Sequence, residues 1–317
     1  MGVYTLAELT SIKKELSNLL PADARDRLVR GRLSTTIQRK AESVQLNRFR
    51  QKVFLTDAQS VRGSGRVYPY VDEAELLVNY IEMHGYHTAA DVIVDLCCGC
   101  GHVIIGCPAE VTGVLRFGLD INPRALQFAE INALINESSA VFQLGDIRCG
   151  IPAAFHRLQV KNFLFSANMP FGLDPSAFLP ISTSSDERGT RLTLATLKGL
   201  KDFTEHLVPG RTGRAVVLAY SLQSQAIYDV VEHAYAIFGP ERVRWNLLEH
   251  ERVWRVNGVK QCRNPMPLDN LTLKAESRYD VDEARREEAR ASYAALVQRL
   301  RAHGYTHLSM GILDIRL

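Results

Sequence analysis

Residues 92–101 read VIVDLCCGCG, so a run of strand-forming residues leads directly into a loop that contains two glycines. The apolar residues after the loop favour a helix. Gly99 and Gly101 permit backbone conformations that other residues disfavour, and they let the backbone approach a ligand closely. In α/β sheets, ligands bind beyond the carboxyl ends of the strands. The stretch therefore predicts a ligand site at the end of a buried strand.

The loop does not fit a dinucleotide. The pattern for NAD needs a third glycine three residues after the second, and that position is Ile104. Asp95, which ends the strand, would repel a pyrophosphate. Its carboxylate suits a ligand that carries an ammonium and a sulfonium group instead.

Strands and helices alternate from about residue 88 onward. Apolar strands are predicted at residues 91–96, 115–120, 140–144, 162–166 and 214–220, with helices between them at 123–135 and 188–207. A helix over 281–303 and a last strand over 307–316 close the chain, and residues 242–255 form a long strand or a bent pair. Such alternation predicts an α/β fold with a mostly parallel sheet and helices on both faces.

Polar residues follow the successive predicted strands after Asp95. Asp120 ends the second strand, Asp146 follows the third, and Asn168 follows the fourth, where the sequence continues Met169-Pro170-Phe171. Asp120 has an alternative role as the cap of the next helix, and Asp146 as a turn residue. Four such residues at the ends of four strands favour one shared site.

The N-terminal part differs from this pattern. Residues 6–19 carry apolar side chains at helical spacing, and a second, basic helical region is predicted from Ala22 to Phe49. A hairpin is predicted between residues 51–56 and 66–70, and an amphipathic helix over 72–84. We therefore divide the chain into an N-terminal helical unit with a hairpin, residues 1–65, and a ligand-binding domain, residues 66–317, with a helical insertion around 256–305.

Over residues 66–255, the chain resembles the class I methyltransferases that use S-adenosylmethionine (SAM). Asp95, Gly99 and Gly101 match the first motif of that family, Asp120 its ribose-binding acid and Asp146 its adenine-side acid. The resemblance implies a Rossmann-like sheet whose last strand is antiparallel, SAM as the cofactor, and a cofactor site completed by Cys97, Ile121, Ile147 and Asn168.

Within that family, the chain is most similar to enzymes that methylate nitrogen, and to release-factor glutamine methyltransferases in particular. Asn168-Met169-Pro170-Phe171 corresponds to their Asn-Pro-Pro-Tyr/Phe motif, and Pro69-Tyr70-Val71-Asp72-Glu73-Ala74-Glu75 to a Pro-Arg-Pro-Asp-Thr-Glu segment. Met169, Tyr70 and Glu73 depart from the proline, arginine and threonine of the family. The resemblance implies catalytic roles for Asn168, Pro170, Phe171 and Tyr70.

Three functions are compatible with these residues. The first is methyl transfer to an amine or amide of a small molecule or peptide, as in specialised metabolism. The second is a SAM cyclase that forms azetidine-2-carboxylate and methylthioadenosine, with no partner beyond SAM. The third is methylation of a nucleic-acid base by a protein with a basic N-terminal unit, which the modest net charge of +3 disfavours.

The remaining composition indicates a cytoplasmic protein. Six cysteines without disulfide spacing predict free thiols in a reducing compartment, and no apolar run is long enough for a membrane span. Cys97, Cys98, Cys100, His102 and Cys107 crowd one turn, so we predict no metal site there. The oligomeric state is left open.

Overall fold

The computed structural model describes residues 35–39, 42–58, 61, 65–68, 72–108, 113–170, 172–175, 185–225, 227–248, 254–256, 260–262, 264–272 and 283–317. The helix predicted over residues 6–19 lies outside these ranges, as do Tyr70 and Phe171.

The described elements alternate along most of the chain. The strands are β1 (Thr35–Arg39), β2 (Glu42–Phe49), β3 (Lys52–Asp57), β4 (Val92–Asp95), β5 (Leu115–Asp120), β6 (Val141–Leu144), β7 (Asn162–Asn168), β8 (Thr212–Ser224), β9 (Ile227–Tyr228), β10 (Val243–Leu247), β11 (Trp254–Val256), β12 (Lys260–Cys262), β13 (Met266–Pro267) and β14 (His307–Arg316). The helices are α1 (Asp72–Met83), α2 (Tyr86–Ala89), α3 (His102–Gly106), α4 (Pro123–Ile135), α5 (Arg191–Glu205), α6 (Asp229–Phe238) and α7 (Arg286–Ala302), with short 3-10 turns at Ile147–Cys149, Ala153–Arg157 and Glu283–Arg285.

The central sheet has the strand order β10-β14-β8-β7-β4-β5-β6. Strands β8, β7, β4, β5 and β6 are parallel, and β14 runs antiparallel between β8 and β10. The predicted α/β fold, with a mostly parallel sheet and an antiparallel last strand, is confirmed. The short strand β9 pairs with the end of β8, and the short strand β13 pairs with the start of β14.

Alternate side chains of each strand enter two apolar layers, one on each face of the sheet. Ile93 packs with helices α1, α3 and α7 on one face, whereas Val92 and Val94 pack with α5 and α6 on the other. Because both faces are covered, the central strands β4 and β7 are buried along nearly their whole length. This double burial fixes the sheet whose carboxyl edge carries the site.

The prediction of helix over Ala22–Phe49 is wrong for its described part. Strands β1, β2 and β3 form a separate antiparallel sheet, and β3 pairs with β2 instead of with residues 66–70. Leu46 of β2 lies opposite Leu55 of β3, and both pack against Phe128 of α4. The turn between β2 and β3 is Arg50-Gln51, with Arg50 at φ 56°, so no Asn-Gly or Asp-Gly signal marks the hairpin.

The described helices include none that is both long and apolar enough to cross a lipid bilayer.

Candidate functional site

Four polar side chains predicted from the sequence lie at one edge of the central sheet. Asp95, Asp120 and Asn168 end β4, β5 and β7, and Asp146 follows the end of β6 by two residues. Since β7, β4, β5 and β6 are neighbours and parallel, their carboxyl ends meet at the same edge. The fold therefore brings together the residues that the sequence placed at separate strand ends.

The loop after β4 is held by backbone and side-chain hydrogen bonds. The Cys98 amide donates to the Leu119 carbonyl at 2.8 Å, and the Gly99 amide donates to Oδ2 of Asp120 at 2.8 Å. Gly99 and Gly101 have φ of +53° and +87°, which other residues rarely adopt. A Cβ at Gly99 would meet no atom of the described residues within 4 Å, so within the described part of the chain this loop borders open space.

The opposite side of the loop is closely packed. A Cβ at Gly101 would lie 2.8 Å from Ile105 and 3.3 Å from the ring of Phe142. A Cβ at Gly118 of β5 would lie 2.6 Å from Phe142 and 2.9 Å from Cys98. Glycines are required here because the loop lies directly on β5 and β6. The sequence analysis did not identify Gly118 or Phe142, which carry no motif of their own.

Asp95 is a buried acid, only 1% exposed, and its Oδ1 atom has no hydrogen-bond partner among the described residues. Burial raises the pKa of its carboxyl to about 7, and the nearby charge of Asp120 adds to the rise. A buried carboxylate without a full set of partners is unfavourable unless a cation or donor compensates it. Asp95 is thus suited to a positively charged ligand group.

Asp120 connects β5 to two surrounding backbones. Its Oδ1 accepts from the Asn122 amide at 2.8 Å, while Oδ2 accepts from Gly99. Burial raises the pKa of this carboxyl, and these two hydrogen bonds oppose the rise. The pKa of the Cys97 thiol is raised well above its usual range, first by burial and then by the charges of Asp120, Asp95 and Asp146. Cys97 therefore lies among the three acids of the site.

Asp146 forms a salt bridge with Arg148, two residues later in the chain. The guanidinium of Arg148 donates to both of its carboxylate oxygens, at 2.9 and 2.6 Å, and the Arg148 amide donates at 2.9 Å. The hydrogen bonds from the Arg148 side chain are the main cause that lowers the pKa of this acid. Ile147 is buried beside it, whereas Ile121, after β5, is exposed. Any ligand of Asp146 must share it with Arg148.

Asn168 and Pro170 are both partly exposed at the end of β7. In the described part of the chain, no hydrogen bond is made by the side-chain amide of Asn168. Between them, Met169 is buried, and its sulfur accepts from the Thr196 hydroxyl of α5 at 3.3 Å. The side-chain amide of Asn168 is therefore available to a ligand. The Met169 side chain is held by α5.

Residues 172–174, which follow the Asn168–Phe171 motif, are hydrogen-bonded to residues 185–186. The Ser185 amide donates to the Gly172 carbonyl at 3.1 Å, and the Asp174 amide donates to the Asp186 carbonyl at 3.0 Å. The hydroxyl of Tyr293, on α7, donates to the carbonyl of Leu173. Helix α7 thus packs over this side of the site.

A further set of polar contacts links the three-stranded sheet to α4, next to the site. Asp57, at the end of β3, accepts from the Val67 amide at 2.8 Å and pairs with Arg124 at 2.6 Å. The Asn122 side chain donates to the Gly65 carbonyl at 2.9 Å. Sequence reasoning missed these contacts, although Asn122-Pro123 is a recognisable helix start, and the Asn122 side chain does accept from the Arg124 amide.

The cysteines near the loop are free thiols. Cys100 lies 3.5 Å from Nδ1 of His102, and burial lowers the pKa of that imidazole to about 3. No group of three or more His, Cys, Asp or Glu side chains among the described residues is arranged to hold a metal ion.

Comparison with solved structures places the chain beside methyltransferases. It is similar to M. jannaschii TYW2 in complex with AdoMet, with 11% identity, a TM-score of 0.42 and coverage of 89% of this chain and 90% of that one. It is also similar to the M. jannaschii tRNA m1G37 methyltransferase, with 9% identity, a TM-score of 0.43 and coverage of 86% and 56%. A geranyl diphosphate methyltransferase in complex with GPP and sinefungin gives 14% identity, a TM-score of 0.40 and coverage of 78% and 79%.

No family model matches the sequence, and no curated protein matches it.

Proposed function

We propose that this chain is a SAM-dependent enzyme whose cofactor binds at the carboxyl edge of β4, β5 and β6. The observation that carries the proposal is the pairing of Gly99 with Asp120 beside Asp95, a buried acid with an unpartnered oxygen. A glycine loop open to space and an adjacent buried carboxylate suit a cationic nucleoside.

The residues fit SAM group by group. The carboxylate of Asp120 would accept the ribose hydroxyls, as acids at the end of a second strand do in nucleotide-binding folds. Asp95 offers a negative charge to the ammonium and sulfonium end. Cys97, Ile121 and Ile147 would line the adenosine, and Gly101 keeps the loop on the sheet.

Asp146 would accept a hydrogen bond from the adenine amino group. The hydrogen bonds that Asp146 already accepts from Arg148 affect this assignment. A carboxylate offers about four acceptor positions, and Arg148 makes four hydrogen bonds to the Asp146 carboxylate, two to each oxygen. The adenine amino group would therefore displace one of these hydrogen bonds. The planar guanidinium of Arg148 would also be close enough to lie against the base.

SAM, when bound, supplies a methyl group already activated by its sulfonium. The protein's task is then to hold the acceptor in line and to exclude water. The side-chain oxygen of Asn168 would accept an N–H of the acceptor, so that the nitrogen lone pair faces the methyl group. The carbonyl of Met169 would be the second acceptor, and Pro170 would stiffen the turn.

Two aromatic residues outside the described ranges, Phe171 and Tyr70, are proposed as contacts of the acceptor or the sulfonium on the family resemblance alone. A cation over an aromatic face gains about 0.5–2 kcal/mol. The acceptor we propose is an amine or amide of a small molecule or peptide, in the cytoplasm and in specialised metabolism. A neutral amine needs no strong general base.

The first experiment measures SAM binding and the fate of SAM. Isothermal titration should give saturable binding of SAM and of S-adenosylhomocysteine. The protein is then incubated with SAM alone, with pooled amines and peptides, and with tRNA, and the products are identified by mass spectrometry against a heat-inactivated control.

The products separate the candidate reactions. S-adenosylhomocysteine formed only with an amine or peptide supports the proposal. Methylthioadenosine with azetidine-2-carboxylate from SAM alone would show a cyclase, and turnover with tRNA alone would show a nucleic-acid methyltransferase. Absence of SAM binding would overturn the cofactor assignment itself.

A further inference from the structure

Asn132 of α4 and Asn136, the C-cap of that helix, bind the free edge of β3. Oδ1 of Asn132 accepts from the Leu55 amide at 2.7 Å, and its Nδ2 donates to the Leu55 carbonyl at 3.0 Å. Asn136 does the same with Val53, at 3.0 and 2.7 Å. Each side-chain amide thus reproduces the pair of hydrogen bonds that a neighbouring strand would make.

The match has a geometric cause. Four residues of an α-helix rise about 6 Å, and two residues of an antiparallel strand rise about 6.8 Å. Side chains at positions i and i+4 of α4 therefore meet positions two apart on β3. The arrangement also covers the edge of β3, which would otherwise be open to pairing with another strand.

Asn132 makes one contact that Asn136 does not. Its Nδ2 also donates to the Cys100 carbonyl at 2.8 Å, and its side chain is fully buried. Nδ2 of Asn136 instead donates to the Asn132 carbonyl within the same helix. One amide group therefore joins the three-stranded sheet, α4 and the glycine loop.

The Cys100 contact falls within a tight turn. Cys100 lies between Gly99 and Gly101, both at positive φ, and the Gly101 amide closes the turn by donating to the Cys98 carbonyl at 2.8 Å. The loop's other anchors come from β5, through Leu119 and Asp120. Asn132 holds the loop from the opposite side.

We propose that Asn132 is a positioning residue that sets the Gly99-Cys100-Gly101 backbone for cofactor binding and couples it to the three-stranded sheet. This inference rests on the proposed SAM site for its functional part. Its structural part, that Asn132 and not Asn136 restrains the loop, is measurable without any ligand.

The test compares Asn132→Ala with the matched control Asn136→Ala in the full chain. Hydrogen exchange followed by mass spectrometry, without ligand, should show faster exchange across residues 52–57 in both variants. Faster exchange across residues 96–107 should appear only in Asn132→Ala. At temperatures where both variants are folded, the Kd for SAM should rise about tenfold in Asn132→Ala and less than about twofold in Asn136→Ala.

A second pair avoids the cavity that alanine leaves. Asn132→Leu keeps the approximate side-chain volume and adds no charge but loses the hydrogen bonds to Leu55 and Cys100, and Asn136→Leu is its control. Equal loop exchange and equal Kd in the Asn132 and Asn136 variants would overturn the inference while wild-type binding persists. If wild type does not bind SAM, the proposed function fails, and the exchange data alone decide whether Asn132 restrains the loop.

Discussion

The Asp120 carboxylate accepts a hydrogen bond from the Gly99 amide at 2.8 Å, so the acid at the end of β5 holds the loop that follows β4. Its other oxygen accepts from the Asn122 amide, where α4 begins. The Asp120 side chain therefore restrains both the loop and the start of α4. Its charge also borders the space beside Gly99. Loss of Asp120 should affect both loop order and ligand binding.

We expect Asp120→Ala to weaken SAM binding by about 100-fold, which corresponds to about 2.7 kcal/mol. The cause is loss of both the ribose acceptors and the restraint on Gly99. Isothermal titration measures the change, with Asp202→Ala on the exposed face of α5 as the control. An unchanged Kd in the folded Asp120 variant would remove Asp120 from the cofactor site.

Asn168→Ala should leave the Kd for SAM within about twofold of wild type and should lower methyl transfer by about 100-fold, as loss of one orienting group at a reacting centre does. The side chain ends β7 and makes no hydrogen bond in the described structure, so its removal should cost little stability. Single-turnover formation of S-adenosylhomocysteine with the identified acceptor is the measurement. Full turnover in the variant would show that Asn168 does not orient the nucleophile.

Asp95 should make both stability and SAM affinity depend on pH. Burial raises the pKa of this carboxyl to about 7 in the folded protein, against about 3.9 in an unfolded chain. The folded state binds the proton more tightly, so the favourable contribution is complete below the unfolded pKa and is lost as pH rises through about 7. Asp95→Asn should therefore gain Tm relative to wild type as pH rises from 4 to 8.

Ionisation of Asp95 should have the opposite effect on SAM affinity, which should increase as pH rises. The ionised carboxylate attracts a cationic ligand, so the Kd of wild type should fall as pH rises from 6 to 8. In Asp95→Asn, whatever pH dependence remains belongs to SAM and to other groups, which makes this variant the control. Parallel pH profiles for the two proteins would exclude Asp95 as the titrating group.

A buried network at the opposite edge of the sheet should matter for stability alone. Asp314 of β14 is 2% exposed, accepts from the hydroxyls of Tyr80 and Tyr86 at 3.0 and 2.7 Å, and pairs with Arg214 near the start of β8. Asp314→Ala should lower the free energy of unfolding by about 3 kcal/mol, because it leaves these groups without their acceptor.

Urea unfolding followed by circular dichroism measures this change. Tyr86→Phe removes one hydroxyl and should cost about 1 kcal/mol. Both variants should bind SAM with the wild-type Kd at 20 °C. A raised Kd in folded Asp314→Ala would show that this distant network supports the site.

Much of the site was predictable because its residues follow strands with a strong apolar pattern. Asp95, Asp120 and Asn168 end strands that are buried on both faces, and such strands leave a clear signal in the sequence. Once the sheet is parallel, its topology requires that their carboxyl ends meet. Gly99 was predictable for the same reason, because a loop between a strand and a helix at this edge needs positive φ.

The three-stranded sheet was not predictable in the same way. Strands β2 and β3 bury side chains on both faces, but the buried set includes the polar residues Gln45, Asn47 and Thr56, which interrupt an apolar pattern. Their stability comes from contacts with Phe128, with Asn132 of α4 and with Asn136 at its end, which are distant in sequence. A local reading of helix propensity could not include those partners.

From β4 to β8, the sequence alone determined the order of strands and helices, the parallel sheet and the identity of the polar residues at its carboxyl edge, because each depends on local periodicity and chain order. Only the tertiary structure decided that Asp120 holds Gly99, that Arg148 engages Asp146, and that Asn132 joins β3 to the loop. These contacts depend on distances and directions between separate elements, and those are set only when the packed layers fix the backbones relative to one another.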